Sequence, residues 1–327
     1  MAAGFGYFTS ADSGAPTWNG AAGRAAAVLD WVLNTKGGWD IAFTGTNLRA
    51  YRSQTGNRFY LRLDDTQARY ARLRAYRAMT AVSTGTNQFP TNTQATNINT
   101  WGLVKGFSSG SDARRYWGIR TNRYIILIVE YGNQTVDSVN YREFFVFGDV
   151  PSLCGSDSHS SIIQAMTGVD TGYPDLMNQV YATMSPGASF GGGGGATAAI
   201  SGSPDGTVLS PNFGVAVPFG VGADSDQEAT IGKSGRMHIG DLVGLCKNTA
   251  AATDPGAYPR CRIPNLHQIW GPVRAVSNSN IPCVDLEEFT VGSKTYKCFM
   301  RYSNDPPGDS YSTDAMLLEI TDTDGAL

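Results

Sequence analysis

The stretch Asn57-Arg58-Phe59-Tyr60-Leu61-Arg62-Leu63 decides the fold class. Phe59, Leu61 and Leu63 alternate with Arg58, Tyr60 and Arg62, so one parity is apolar and the other is wet. A period of two is the mark of a half-exposed antiparallel strand. A second stretch, Tyr124-Ile125-Ile126-Leu127-Ile128-Val129, is apolar on both parities. Such a run fits a strand covered on both faces, placing it at the centre of a sheet. Its flanks, Arg115-Tyr116-Trp117-Gly118-Ile119 and Phe144-Phe145-Val146-Phe147-Gly148, read as its partners. Residues Ala68 to Met79 alternate less cleanly, with arginine on both parities. They predict a strand whose exposed side meets a partner or a loop.

Outward from these strands, one helix is predicted. Gly20 to Asn34 is Ala-rich and puts Val28, Leu29, Val32 and Leu33 on one face. Asn19 is the expected N-cap, and Gly37-Gly38 the stop. Ahead of it lies an extended arm broken by Gly14-Ala15-Pro16. The chain therefore reads as mainly β, with antiparallel sandwich or barrel-like sheets, a few short helices and one N-terminal amphipathic helix. A boundary is expected near Pro151, dividing the chain into three parts. These are an arm, helix and β domain at 1–152, a mixed helical and Gly-rich connecting segment at 153–206, and a β-rich domain at 207–327. Short helices are expected at Ser160–Met166 and Pro174–Met184. The five glycines Gly191–Gly195 read as a surface loop or linker.

The composition fits this reading. Gly supplies 39 of 327 residues and charged residues only 16 %, against roughly 25 % in an average soluble protein. At 41 % hydrophobic and 11 % aromatic, the chain is too apolar for a disordered polypeptide. Secreted β-proteins, adhesins and virus-particle proteins share this balance. The longest aliphatic run, Ile125–Val129, is far short of the roughly 20 residues that span a bilayer, so no membrane span is expected. The first 23 residues hold no Lys or Arg and no apolar core segment, which argues against a secretory signal. The five cysteines Cys154, Cys246, Cys261, Cys283 and Cys298 form no CxxC pair, so buried free thiols are expected.

The net charge of −3 hides an asymmetry. Up to residue 150 there are 16 Lys and Arg against 10 Asp and Glu, and beyond it 9 against 18. Arg49, Arg52, Arg58, Arg62, Arg69, Arg72, Arg74 and Arg77 fall within one stretch. Nucleic-acid binding is the sharp reading of such a cluster. Asp64 and Asp65 interrupt it, however, and no nucleic-acid motif accompanies it, so no nucleic-acid partner is expected. The reading the residues favour is complementary association, with these eight arginines as an interface that meets the acidic half of a neighbour.

Catalytic and ligand motifs fail on their spacing. Gly191–Ala196 satisfies G-x-G-x-x-A only as any glycine run would, and no βαβ unit frames it. Gln227–Ser234 ends like a phosphate loop, but Gln227 stands where the first glycine is required. His159, His238 and His267 are far apart and show neither HxH nor HExxH spacing, so each reads as a packed or surface residue. Asp224-Ser225-Asp226 and Asp322–Gly325 are fragments of calcium loops without the rest. Adjacent carboxylates at Asp64-Asp65 and Glu287-Glu288 point to opposite faces of a strand. No catalytic residue, metal site or cofactor is expected, and the chain reads as a non-enzyme.

Several patches carry a family resemblance. Tyr7 to Leu33 (YFTSADSGAPTWNGAAGRAAAVLDWVL) resembles the opening of a broad family of tailed-bacteriophage virion proteins. The likeness continues at Arg69–Thr91, at Arg115-Tyr116-Trp117 with Tyr124, and at Phe147–Ser152. Arg262-Ile263-Pro264-Asn265-Leu266 is similar to a late Arg-Leu-Pro-Gly-Leu step, with Asn265 where the family has glycine. Leu317–Thr323 is similar to its closing strand. The resemblance implies a non-enzymatic structural component of a phage particle, in the tail, baseplate or collar. It would be made in the host cytoplasm and released by lysis, and its partners would be other copies of itself and other virion proteins. Assembly would use complementary charged faces and extended termini, with Met1–Asn19 reaching over a neighbour to add a strand to its sheet. Two other roles share the composition. One is a capsid decoration or cement protein. The other is a module that binds host surface glycans through Trp101, Trp117 or Trp270.

Overall fold

The structure is a computed structural model that describes residues 4–89, 102–106, 112–131, 141–155, 157–165, 198–209, 211–216, 238–247, 258–270, 286–300 and 315–321. Strand β1 (Gly6–Thr9) precedes helix α1 (Arg24–Leu29), which runs into a π-helical segment at Asp30–Thr35. Six strands follow: β2 (Trp39–Gly45), β3 (Leu48–Ser53), β4 (Tyr60–Asp64), β5 (Tyr70–Ala81), β6 (Thr84–Phe89) and β7 (Gly102–Val104). The next group is β8 (Tyr116–Arg120), β9 (Tyr124–Tyr131), β10 (Tyr141–Asp149), β11 (Ser161–Gln164) and β12 (Ala198–Ile200). The last comprises β13 (Asn212–Ala216), β14 (His238–Lys247), β15 (Tyr258–Trp270), β16 (Glu288–Val291), β17 (Lys294–Met300) and β18 (Ala315–Glu319).

These strands form three antiparallel sheets, so the chain is mainly β, as its alternation predicts. The central sheet has the order β1-β8-β9-β10-β11-β12. Strand β9 lies inside it, with Ile128 opposite Phe144 and Ile126 opposite Val146. Its two parities serve two cores. Ile125, Leu127 and Val129 join Phe145 and Phe147 in a cluster with helix α1 and the N-terminal sheet, β2-β3-β4-β5-β6 with β7 also on β5. Ile126 and Ile128 join Phe144 and Val146 in a second cluster with Leu242, Ile263, Phe299 and Leu318 of the C-terminal sheet, β13-β14-β15-β18-β17-β16. A strand buried on both faces has no polar parity to show, which is why 124–129 carries no alternation.

The helix region departs from expectation at its start. Asn19 accepts the Ala21 N–H at 3.0 Å and so closes a turn ahead of the helix. The helix begins instead after Gly23, whose φ of 80° is the left-handed conformation glycine adopts without strain. The Asp65 carboxylate, 39 residues away, accepts the Ala26 N–H at 3.0 Å and satisfies an otherwise orphaned donor of the first turn. Asn19 as N-cap is therefore corrected: the capping group comes from the end of β4, which no local pattern reveals. The stop is as predicted, with Gly37 and Gly38 at φ 92° and 100°.

Two further expectations are corrected. Residues 161–164 form β11 and not a helix. Ser161, Ile162, Ile163 and Gln164 are all buried, and Ile162 and Ile163 face the two different cores. A short apolar run is ambiguous by periodicity alone, and burial on both sides selects the strand. The N-terminal arm, from Gly4 onward, belongs to its own molecule. Tyr7 and Phe8 pair with Ile119 and Gly118 of β8, Trp18 bridges to Arg114, and both Phe8 and Trp18 are buried. That part of the arm is not available to a neighbour's sheet.

Segment 153–206 contributes β11 and β12 to the central sheet. Residues 151–153 pair with β15 through Arg262 N–H to the Pro151 carbonyl and Leu153 N–H to the Arg260 carbonyl. Cys246, Cys261 and Cys298 are buried and Cys154 half-buried, all four outside any disulfide. The expected helix at Pro174–Met184, the Gly191–Gly195 run, Gln227–Ser234, Asp224–Asp226, Asp322–Gly325 and Cys283 lie outside the described residues. No described helix is long and apolar enough to cross a membrane.

Candidate interaction surface

The N-terminal sheet sorts its side chains by parity. Tyr51, Leu61, Ala75 and Phe89 lie opposite one another across β3, β4, β5 and β6, and all belong to the core. The other parity carries the row Asp40, Arg52, Tyr60, Tyr76, Gln88 and, beside it, Ala50, Arg62, Arg74. A third row sets Leu48, Asp64 and Arg72 opposite one another. The sheet face turned away from the core is thus built of arginine and tyrosine.

Its aromatic layer lies beneath the guanidiniums. Tyr60 and Tyr76 are buried and cluster with Ala50 and Met79, against which Ala42 and Phe43 pack. Phe43 stacks on Tyr60 with centroids 6.1 Å apart. The Arg52 guanidinium sits 5.0 Å over the Tyr60 ring, and Arg72 sits 5.6 Å over Tyr70. Arg52 also donates to the Arg58 carbonyl at 2.9 Å, and Arg62 to the Val82 carbonyl at 3.0 Å. Tyr76 donates its hydroxyl to Gln88 at 3.2 Å. These contacts hold the guanidiniums in place on the face, with all four arginines half-buried and part of each still exposed.

The electrostatics of this face are lopsided. Arg62 and Arg74 are directly opposite on neighbouring strands, a like-charge pairing that works against folding. Asp64 lies among them, 3.5 Å from Arg62. Burial pushes the Asp64 carboxyl up, but the Thr66 hydroxyl and amide, with Arg62 and Arg72, outweigh it and hold it below the usual range. A second carboxylate, Asp40 on β2, lies opposite Arg52, so two carboxylates among four arginines leave a face of net positive charge.

The other four arginines of the predicted interface go elsewhere. Arg49 is on the core-side parity and grips Asp30 at 3.0 Å, with further bonds to the Gly45 and Leu48 carbonyls. Arg77 donates twice to the Ser201 carbonyl, at 3.1 and 2.7 Å, tying this sheet to the chain beyond β12. Arg58 and Arg69 occupy exposed left-handed positions with φ 57° and 72°. The structure therefore brings together Arg52, Arg62, Arg72 and Arg74.

Other charged side chains, unmarked by any motif, are consumed inside the fold. Lys105 and Asp65 pair with both side chains fully buried, Lys105 also donating to the Ala21 and Gln67 carbonyls at 2.8 Å. Glu130 accepts from buried Arg142 at 2.9 Å and from Arg115 at 2.8 Å. Buried Arg260 pairs with Asp157 at 2.5 Å. His267 is buried between Asp241 and Glu319, and His159 is half-buried beside Phe59 at 6.4 Å. The His238 side chain lies outside the described residues, among which no group of three His, Cys, Asp or Glu could hold a metal ion. Asp64 and Asp65 do point apart, one to the arginine face and one to the helix. Trp117 is buried against Phe299 with centroids 5.3 Å apart, so it offers no surface to a glycan. Trp101 and the Trp270 side chain lie outside the described residues.

No family model matches the chain, and no curated protein matches it.

Proposed function

We propose that the chain is a non-enzymatic structural component of a tailed-bacteriophage particle, in the tail, baseplate or collar, and that it docks through the arginine face of its N-terminal sheet. The resemblance of the patches at Tyr7–Leu33, Arg69–Thr91 and Arg262–Leu266 supports the particle. One observation carries the docking: Arg52, Arg62, Arg72 and Arg74 stand on one sheet face, Arg52 over Tyr60 and Arg72 over Tyr70, and outnumber the carboxylates Asp40 and Asp64 beside them. Guanidiniums held this way recognise carboxylates with defined geometry. The partner chemistry is an acidic protein surface, and residues 151–327, with 18 acidic against 9 basic side chains, make another copy of this chain a candidate. Within the chain itself, Arg115, Arg142 and Arg260 already have carboxylate partners.

The test is light scattering of the purified chain and its incorporation into particles, each with wild type and an Arg62→Glu, Arg74→Glu variant. Association that weakens from about 0.1 M to about 1 M salt, where screening shortens from roughly 10 Å to 3 Å, and that the double variant abolishes, supports the reading. Recovery of the variant in purified particles at the wild-type level defeats it.

A further inference from the structure

The outward side of the C-terminal sheet carries a polar rung that crosses four of its strands. Asp241 stands on β14, His267 on β15, Glu319 on β18 and Lys294 on β17. His267 Nδ1 is 2.8 Å from an Asp241 carboxylate oxygen, and Nε2 is 3.0 Å from a Glu319 oxygen. Lys294 Nζ donates to the same Glu319 oxygen at 2.8 Å, and Arg262 approaches Asp241 at 3.4 Å. The imidazole packs edge-on against Tyr296 at 5.4 Å. His267 and Glu319 are buried, while Asp241 is part-exposed and open to solvent.

The geometry dictates the protonation state. Both ring nitrogens face acceptors, and only the imidazolium donates from both. A neutral ring would turn a nitrogen lone pair toward one of the two carboxylates. The Glu319 oxygen that faces Nε2 also accepts from the Lys294 ammonium at 2.8 Å, so it sits between two nitrogen donors. Among the described residues, the charged groups facing the ring from its own and neighbouring strands are Asp241, Glu319, Arg262 and Lys294, with the Tyr296 ring as its wall.

We propose that Asp241, His267 and Glu319 form a pH-operated clasp, closed while His267 is protonated and opened by its deprotonation, that sets how tightly β14, β15 and β18 are held together. It stands apart from the docking role, since it lies on a different sheet. Burial works against the imidazolium, but the hydrogen bonds and charges of Asp241 and Glu319 outweigh it and raise the His267 pKa above its ordinary value. A raised value makes the clasp complete below about pH 6.5, the unfolded value, and lost as pH climbs through the folded one.

The experiment is a pH series of hydrogen exchange on the β15 and β18 amides, corrected for intrinsic rate, for wild type and His267→Gln. Alongside it, the ring titration of His267 is followed by NMR, assigned against His159→Asn and His238→Asn variants. Wild-type protection is expected to fall at least tenfold between about pH 6 and about pH 9, while the glutamine variant shows no such step. A wild-type profile without the step, or the same step in the variant, overturns the clasp. Should the variant not fold, the wild-type ring decides alone: titration at or below about 6.5 overturns the proposal, and titration above it supports it.

Discussion

Lys105 and Asp65, 40 residues apart in the chain, form an ion pair with both side chains fully buried beneath the start of helix α1. The lysine's other two donors go to the Ala21 and Gln67 carbonyls, and the second carboxylate oxygen accepts the Ala26 N–H. The pair thus holds the loop before the helix, the helix start, the end of β4 and the approach from β7 at one point. Taking two charges out of water is costly, and a buried pair stabilises only while both members and their remaining hydrogen bonds are satisfied.

Removing one partner should therefore cost far more than an exposed pair. Asp65→Ala is expected to destabilise the chain by about 3–5 kcal/mol, because it leaves a buried ammonium unpaired and strips the helix start of its acceptor. Lys36→Ala, which breaks the part-exposed pair with Asp12 at 3.3 Å, should cost no more than about 1 kcal/mol. Urea unfolding of both variants measures the difference, and equal losses would mean that the buried pair adds nothing.

Backbone geometry supplies a second contrast. Gly148 has φ 126°, and a Cβ there would fall 2.2 Å from the Arg123 carbonyl oxygen and 2.6 Å from Tyr124 Cα. Gly37 also has positive φ, at 92°, but nothing lies within 4 Å of its Cβ position. Both alanine variants bear conformational strain of order 1 kcal/mol. Gly148→Ala alone must also part β9 from β10. Its melting temperature should fall well below that of Gly37→Ala, and a smaller drop at Gly148 would contradict the register.

How far the fold was readable follows from where each signal sits. The two-residue period of 57–63 and the double-sided apolar run at 124–129 are local, and they place β4 and β9 correctly because side-chain parity is fixed by the pleat. Parity also sorts the arginines: Arg52, Arg62, Arg72 and Arg74 share one face, whereas Arg49 and Arg77 fall on the other. The eight read as one surface only if that sorting is ignored and if the turn positions of Arg58 and Arg69 are overlooked. Asn265, at the step where the resembled family has glycine, has φ 59°, a left-handed conformation asparagine tolerates better than most residues. The ion pairs of Asp65, Glu130, Asp157 and His267 join residues 12 to 103 apart. No periodicity encodes such pairings, since they exist only once strands distant in the chain lie side by side or pack together.

The rung at His267 also has an acid limb. Asp241 is held down at about 2, first by its hydrogen bond to His267 and then, against the effect of burial, by the charges of His267, Arg262 and Lys294. A depressed carboxylate contributes stability that is fully present above its unfolded value, roughly 3.9, and is lost as pH falls through the folded one. The melting temperature of wild type should therefore decline from about pH 4 toward about pH 2 more steeply than that of Asp241→Asn. Parallel curves would show that Asp241 does not stabilise the fold through its charge.

The arginine face gives the last contrast, between folding and association. Arg74 is opposite Arg62, so its charge works against the sheet that carries it. Arg74 is half-buried on the sheet surface. Truncation of a surface side chain ordinarily changes stability by no more than about 0.5 kcal/mol, and here the relief of repulsion offsets the lost stem contacts. Arg74→Ala should unfold at the wild-type urea midpoint or slightly above it. The same variant should self-associate or enter particles less well, and that loss should shrink as salt is raised. Arg77→Ala should behave in the opposite way, because its guanidinium binds the Ser201 carbonyl within the molecule: stability falls and any loss of association tracks the unfolded fraction. A common response from both variants would mean that the sheet face has no docking role separate from the fold.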